Sequence, residues 1–228
     1  MSQQRLFEFR MGERSPETLV VTDANRDAAR LITDWRAWPG GALALVGPRG
    51  SGKTHLALAW AVESGARQVS ARAAPEDAAA IFREAGGRIL IDEADGGADE
   101  SSLWRVLDLA KSEGGAVLLV GRALPSAWDA SIPDLRSRLA SMAVASLGEP
   151  DEALMEVVLR RVCREQFIHL SDDAARYLAR RLPRTFAAAY SLAAALDADL
   201  AKGAKPVAVP AARRALEKVQ AAWGGGDG

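Results

Sequence analysis

The chain has one cysteine in 228 residues, Cys163. That excludes an internal disulfide and fits a reducing compartment. Cys163 falls within a helical pattern and reads as a small buried hydrophobe. An excess of either charge is also missing, since 29 Lys and Arg stand against 30 Asp and Glu, a formal net charge of −1. Proteins that grip nucleic acid do so through many cationic contacts to phosphate, so strong direct DNA binding is not expected. No apolar run approaches the roughly 20 residues of a bilayer crossing, and no basic stretch followed by an apolar one opens the chain. The expectation is a soluble, cytoplasmic protein with no membrane association. The remaining composition is that of an ordinary globular chain, 49% hydrophobic and 26% charged.

What is present is an alternation. ALALVG (42–47), RQVSA (67–71), RILIDE (88–93), AVLLVG (116–121) and MAVASLG (142–148) read as strands, the third and fourth almost continuously apolar. Strands buried on both faces of a parallel sheet have that character. Helical patterns lie between them, over 54–64, 75–85, 100–112 and 132–141. Strand–helix alternation predicts an α/β fold with a doubly wound parallel sheet and helices on both faces. After Gly148 only helices are expected, over 150–166, 171–181, 184–202 and 209–222, with Ser171 as an N-cap and Gly203 as a closing glycine. The expected organisation is a flexible tail over 1–14, an α/β base over 15–148, a small all-helical lid over 149–222 and a Gly-rich tail over 223–228.

GPRGSGKT, Gly47 to Thr54, follows a strand and opens a helix, the context a phosphate-binding P-loop requires. Gly47, Pro48, Arg49, Gly50, Ser51 and Gly52 would turn backbone N–H groups toward phosphate oxygens, helped by the helix N-terminus. Lys53 would reach the β and γ phosphates, and Thr54 would offer its hydroxyl to Mg²⁺. His55 follows directly and counts with this group, or else packs with Trp60 in the helix behind the loop. ILIDEAD, Ile89 to Asp95, ends a buried strand in carboxylates: Asp92 would hold the metal's water shell and Glu93 would polarise an attacking water. The letters DEAD also occur in a helicase class, but those need two nucleotide-gripping domains in tandem.

Three further places are open to two readings. Arg136 and Arg138 precede the fifth strand, either on a solvated basic face or with one of them reaching the nucleotide site of a neighbouring subunit. Arg184, at the start of a lid helix, is a surface cation or one that folds over bound phosphates. QQRLFEF, Gln3 to Phe9, places large apolar residues ahead of any folded element, and they either staple back onto the body or fit a pocket on another protein.

In this order the elements resemble the AAA+ ATPases, and within them the DnaA family of bacterial replication initiators, over roughly Glu17 to Ala222. The resemblance implies ADP or ATP with Mg²⁺ as cofactors. It implies that the family's Walker A, Walker B, arginine finger and sensor 2 fall on Gly47–Thr54, Asp92–Glu93, Arg138 and Arg184. It also implies that Glu17–Trp35 lines an adenine pocket with Asn25 and Arg26, and that the sensor 1 position is Arg122. That position is usually a small polar residue. An arginine there binds phosphate yet positions water poorly, so slow intrinsic hydrolysis with ADP as the working ligand is expected.

Initiators of this family carry a basic helix-turn-helix domain after the lid and a self-association domain before the ATPase. Here the sequence ends at Gly228 and begins with a short tail. In that respect it is similar to the Hda-type regulators, a clamp-binding tail joined to an AAA+ module. In those proteins the ADP-bound form, docked on the DNA-loaded sliding clamp, prompts ATP-bound DnaA to hydrolyse its nucleotide. Clamp-binding peptides of the form Gln-x-x-Leu-Phe are matched by Gln3, Leu6 and Phe7. The implied partners are therefore the ATP form of DnaA and the beta sliding clamp of DNA polymerase III, with a homo-oligomer also open. A helicase-loader-like ATPase on single-stranded DNA, a small-molecule P-loop kinase and a pure binding module remain the rival readings.

Overall fold

Between the first helix, α1 (Arg26–Thr33), and the lid helices, short apolar strands alternate with helices. The computed structural model describes residues 21–199 and 206–224. Gln3, Leu6, Phe7 and Gly203 lie outside the described residues. The chain divides into two units, each with its own core.

The first unit takes in Leu31–Leu45 and Thr54–Ala145. Its elements run β1 (Ala42–Val46), α2 (Lys53–Ser64), β2 (Arg67–Val69), α3 (Pro75–Glu84), β3 (Arg88–Ile91), α4 (Glu100–Leu109), β4 (Ala116–Gly121), α5 (Pro133–Ser141) and β5 (Ala143–Ser146). The five strands form one sheet in the order β2-β3-β4-β1-β5. β3 pairs in parallel with both β2 and β4, aligning Leu90 with Leu118 and Ile91 with Leu119. Alternate side chains point to opposite faces. On one face Ile89, Ile91, Val117 and Leu119 share a core with Phe82 of α3, Val106 of α4 and Leu135 of α5. Leu90 and Leu118 on the other face are equally buried, so the sheet is covered on both sides. Each fully buried side chain of this size contributes roughly 1.5–3 kcal/mol, which is why unbroken apolar runs fold here.

Boundaries shift by small amounts. β2 stops at Val69, short of the expected Ala71, and α4 passes into a wide turn over Ala110–Gly114. α1 has Asn25 at its entry, where the side-chain oxygen accepts the Thr22 N–H at 2.8 Å.

The second unit contains Val46–Lys53 and the helices after β5. These are α6 (Glu152–Glu165), α7 (Asp172–Ala179), α8 (Phe186–Asp199) and α9 (Val209–Gly224). Asp151 caps α6 by accepting the Leu154 N–H at 2.7 Å, and Ser171 caps α7 as expected, at 3.2 Å from the Ala174 nitrogen. Leu159, Cys163, Leu178, Leu192 and Leu216 meet in its core. Burial pushes the Cys163 thiol up to about 12, which makes it inert. α8 begins at Phe186, two residues later than the pattern suggests, because Thr185 serves as its cap, its hydroxyl oxygen accepting the Ala188 N–H at 3.2 Å.

Candidate functional site

The glycine-rich loop is shaped by close packing within the second unit. Val46 of β1 accepts the Leu147 N–H at 2.8 Å, and the chain then leaves the sheet at Gly47. Gly50 and Gly52 have φ of +81° and +93°, which L side chains rarely adopt. A Cβ on Gly50 would stand 2.8 Å from Thr185, and one on Gly52 would stand 2.6 Å from the Phe186 ring. The Phe186 N–H also donates to the Gly50 carbonyl at 3.4 Å. Lys53 folds over the loop, its ammonium donating to the carbonyls of Gly47 at 2.8 Å and Pro48 at 2.7 Å. Pro48 and Arg49 are exposed. Ser51 is 5% exposed, and its hydroxyl oxygen is buried without a hydrogen-bond partner among the described residues. Arg184 is exposed in the turn directly before Thr185, so it precedes α8 rather than starting it.

In the first unit, the two expected metal-shell residues meet. The Thr54 hydroxyl, in the first turn of α2, donates to Asp92 Oδ2 at 2.9 Å, and Asp92 Oδ1 accepts the Glu93 N–H at 2.9 Å. Glu93 itself has φ of +55°, one of the two non-glycine residues in the left-handed region among those described. Such a conformation costs of order 1–3 kcal/mol and is retained mainly at functional sites. His55 is half-buried at the start of α2 and is engaged in the structure.

Arg122 follows the last residue of β4 and its side chain is exposed. Arg138 lies in the last turn of α5, where its guanidinium donates to Asp108 of α4 at 2.9 Å. The two side chains are 28% and 35% exposed, so this pair is half-buried at the surface. Arg136, two residues earlier on α5, is exposed. In the second unit, Asn25 is buried, whereas Arg26 points outward and pairs with Asp23 at 2.6 Å. These two neighbours are thus not equivalent.

Sequence reasoning passed over two acids that organise the surroundings. Asp95 accepts the backbone N–H groups of Arg122 and Ala123. Glu100 accepts the Ser131 and Ile132 N–H groups and the Ser131 hydroxyl, fixing the entry to α5. Those backbone donors hold the Glu100 carboxyl below its ordinary range. The signal for Asp95 was present as the third acid of the DEAD run. Among the described residues no group of three or more His, Cys, Asp or Glu could by itself hold a metal ion. No helix among them is long and apolar enough to cross a membrane.

No protein-family model matches the chain, and no curated protein matches it in sequence. Its fold, by contrast, is similar to that of solved AAA+ ATPases. Domain III of the replication initiation protein DnaA from Thermotoga maritima superposes with a TM-score of 0.71 at 17% identity, covering 91% of this chain and 97% of that one. DnaA from Aquifex aeolicus, bound to AMPPCP, gives 0.64 at 17% identity over 92% of this chain and 70% of that one. A point mutant of RuvB from Thermotoga maritima gives 0.67 at 21% identity, covering 90% and 72%. The chain therefore has the AAA+ fold: a five-stranded parallel sheet with helices, followed by a helical region.

Proposed function

We propose that this chain is a nucleotide-binding AAA+ protein of DNA replication that acts as a negative regulator of initiation. It holds ADP or ATP with Mg²⁺, docks on the sliding clamp and stimulates hydrolysis of DnaA-bound ATP. In this reading residues 15–148 act as base and 149–222 as lid, flanked by tails over 1–14 and 223–228, and the protein works in the cytoplasm.

The residues present fit a nucleotide. Glycines at 50 and 52 leave backbone exposed where side chains would collide. The orphaned Ser51 hydroxyl needs an acceptor or donor that none of the described residues supplies. Thr54 and Asp92 put two hard oxygen donors within hydrogen-bond distance, the few-ligand set that Mg²⁺ takes when phosphates and waters complete its shell. Bound there, the metal neutralises phosphate charge. Lys53 exchanges its two carbonyl partners for phosphate oxygens, Arg184 adds a cation beside the loop, and Asn25 and Arg26 border the base. Glu93 orients water poorly beside an arginine at position 122, so intrinsic turnover is slow. The similarly folded Aquifex DnaA is bound to AMPPCP, which supports the reading that this chain binds a nucleotide.

The observation that carries the regulatory reading is the setting of Arg138. It sits in the AAA+ fold on α5, partly exposed, and pairs with the surface carboxylate of Asp108. Surface pairs of this kind are worth about 0–1 kcal/mol, so the guanidinium is released at little cost. Offered to the γ-phosphate of ATP on DnaA, it offsets charge as the terminal phosphoryl group departs, an effect worth ~10³–10⁵ in rate. Leu6 and Phe7 fill an apolar pocket on the clamp while Gln3 hydrogen-bonds at its rim, which raises the local concentration at replicating DNA.

The test is hydrolysis of DnaA-bound ATP with loaded clamp, with and without this protein. The wild-type chain stimulates it, and R138A loses the stimulation while keeping nucleotide and clamp binding. L6A with F7A loses clamp capture while nucleotide affinity holds. Stimulation that survives R138A rejects the finger. Tight single-stranded DNA binding with a steep salt dependence would instead favour a loader-like ATPase.

A further inference from the structure

Four arginines on α6 and α7, or closing α7, are neutralised in place. Arg160, Arg161, Arg176 and Arg180 each pair with a carboxylate of the same unit, at distances from 2.7 to 3.9 Å. Where α7 meets α9 the pattern is different. Arg181 and Arg213 are exposed, and no carboxylate among the described residues forms an ion pair with either. An aromatic ring holds them instead. The Arg181 guanidinium carbon lies 4.1 Å from the centroid of the Tyr177 ring, and that of Arg213 lies 5.8 Å from the same centroid. Arg214, next on α9, adds a third exposed cation.

The local sequence builds this arrangement. Tyr177 and Arg181 are four residues apart, so they share a face at the end of α7. Arg181 also donates to the Tyr177 carbonyl at 3.3 Å, where the end of a helix favours a cation. On α9, Ala212, Ala215 and Leu216 are buried in the core, which leaves Arg213 on the flank that meets Tyr177. The Tyr177 ring itself packs on that core and is thereby fixed. Each cation is attracted to the ring, but the two repel one another. The result is a pair of ordered guanidiniums with no counter-charge beside them. Guanidinium forks of this kind match phosphate oxygens, and side chains already ordered lose less freedom when they bind.

The geometry also selects among polyanions. Tyr177 packs on the core and carries Arg181 at stacking distance, so its ring is not free to stack on an unpaired base. Contact then falls to the backbone alone, and a duplex presents phosphates most densely, one charge per roughly 1.7 Å of its axis. We propose that the α7–α9 face built on Tyr177 binds the phosphate backbone of double-stranded DNA through Arg181 and Arg213, without reading its sequence. The chain as a whole carries a formal net charge of −1, so the contact engages few phosphates and is weak. Beside a clamp already loaded on DNA, a weak second contact is strengthened by effective concentration.

The experiment follows the fluorescence anisotropy of a short labelled DNA duplex titrated with the full chain. Wild type should bind two duplexes of unrelated sequence equally and lose about tenfold in affinity between roughly 50 and 200 mM salt, as two neutralised phosphates require. R181Q/R213Q should bind about tenfold more weakly at the lower salt and lose most of the salt dependence. R161A, which removes a cation already paired with Glu165, should stay within about twofold of wild type. No binding by wild type at the lower salt, binding that survives R181Q/R213Q, or an equal loss in R161A overturns the proposal. Tighter binding to polyglutamate than to the duplex assigns the face to an acidic protein segment and overturns it too, as does tighter binding to a single strand. Should R181Q/R213Q fail to melt cooperatively, R213Q alone replaces it. Its salt slope should be shallower than that of wild type by about one, and an unchanged slope overturns the proposal equally. The shallow dependence expected on duplex DNA is distinct from the steep single-strand dependence of a loader-like ATPase.

Discussion

Two loops supply the proposed nucleotide chemistry, and they are held by opposite means. Gly47–Lys53 is shaped by absence of side chains: its glycines let Thr185 and Phe186 approach to distances no Cβ tolerates. Asp92–Asp95 is shaped by side chains, with carboxylates accepting from Thr54, Glu93, Arg122 and Ala123. The first loop has no tolerance for added atoms. The second carries a strained residue and is held despite it. Packing fixes one, and charge-assisted hydrogen bonds fix the other.

The largest expected effect probes the packed loop. G52A introduces a methyl group against Phe186 at a φ that disfavours alanine, and should cost roughly 2–4 kcal/mol in a denaturant titration. E93G does the reverse in the hydrogen-bonded loop. It relieves a left-handed backbone and should leave the protein roughly 0.5–1 kcal/mol more stable, although it removes the water-polarising carboxylate. Equal signs for the two variants would break the contrast.

A smaller effect is expected at the half-buried pair of α4 and α5. D108A frees Arg138 at a cost below about 1 kcal/mol, so stimulation of DnaA hydrolysis should rise by up to about fivefold. Reduced stimulation would mean that Asp108 presents the guanidinium instead of restraining it.

The smallest effect concerns acid. Glu100 titrates below its ordinary 4.5 in the folded chain because the Ser131 and Ile132 backbone amides and the Ser131 hydroxyl bind the charged form. Its contribution to stability is therefore present above 4.5 and disappears as the pH falls through the lowered folded value. E100Q should flatten that part of the stability profile, measured by denaturant midpoints across the acid range. A profile that keeps its slope would assign the acid dependence to other carboxylates.

What the sequence made legible was contiguous. The runs at 88–93 and 116–121 are apolar enough to announce buried strands, and GPRGSGKT and ILIDEAD carry their spacing within a few residues. What stayed hidden depends on the fold bringing distant segments together. Asp95 and Arg122 stand 27 residues apart in the chain and share a hydrogen bond only because β3 and β4 are neighbours. Phe186 reads as an ordinary apolar helix residue until its ring is seen against Gly52. The start of α8 departs from the apolar pattern because the local signal in PRTF decides it, where Thr185 is a good cap and Pro183 resists continuation. Arg138 was legible as a cation near the fifth strand, but its tie to Asp108 was not.

The sulfur atom in the core of α6 has one more consequence. Because the Cys163 proton is held to about 12 and the side chain is wholly enclosed, alkylating reagents at neutral pH find no thiolate on the closed helical unit. The natural chain thus carries its own reporter, which is silent until those helices separate and reads their opening independently of the sheet.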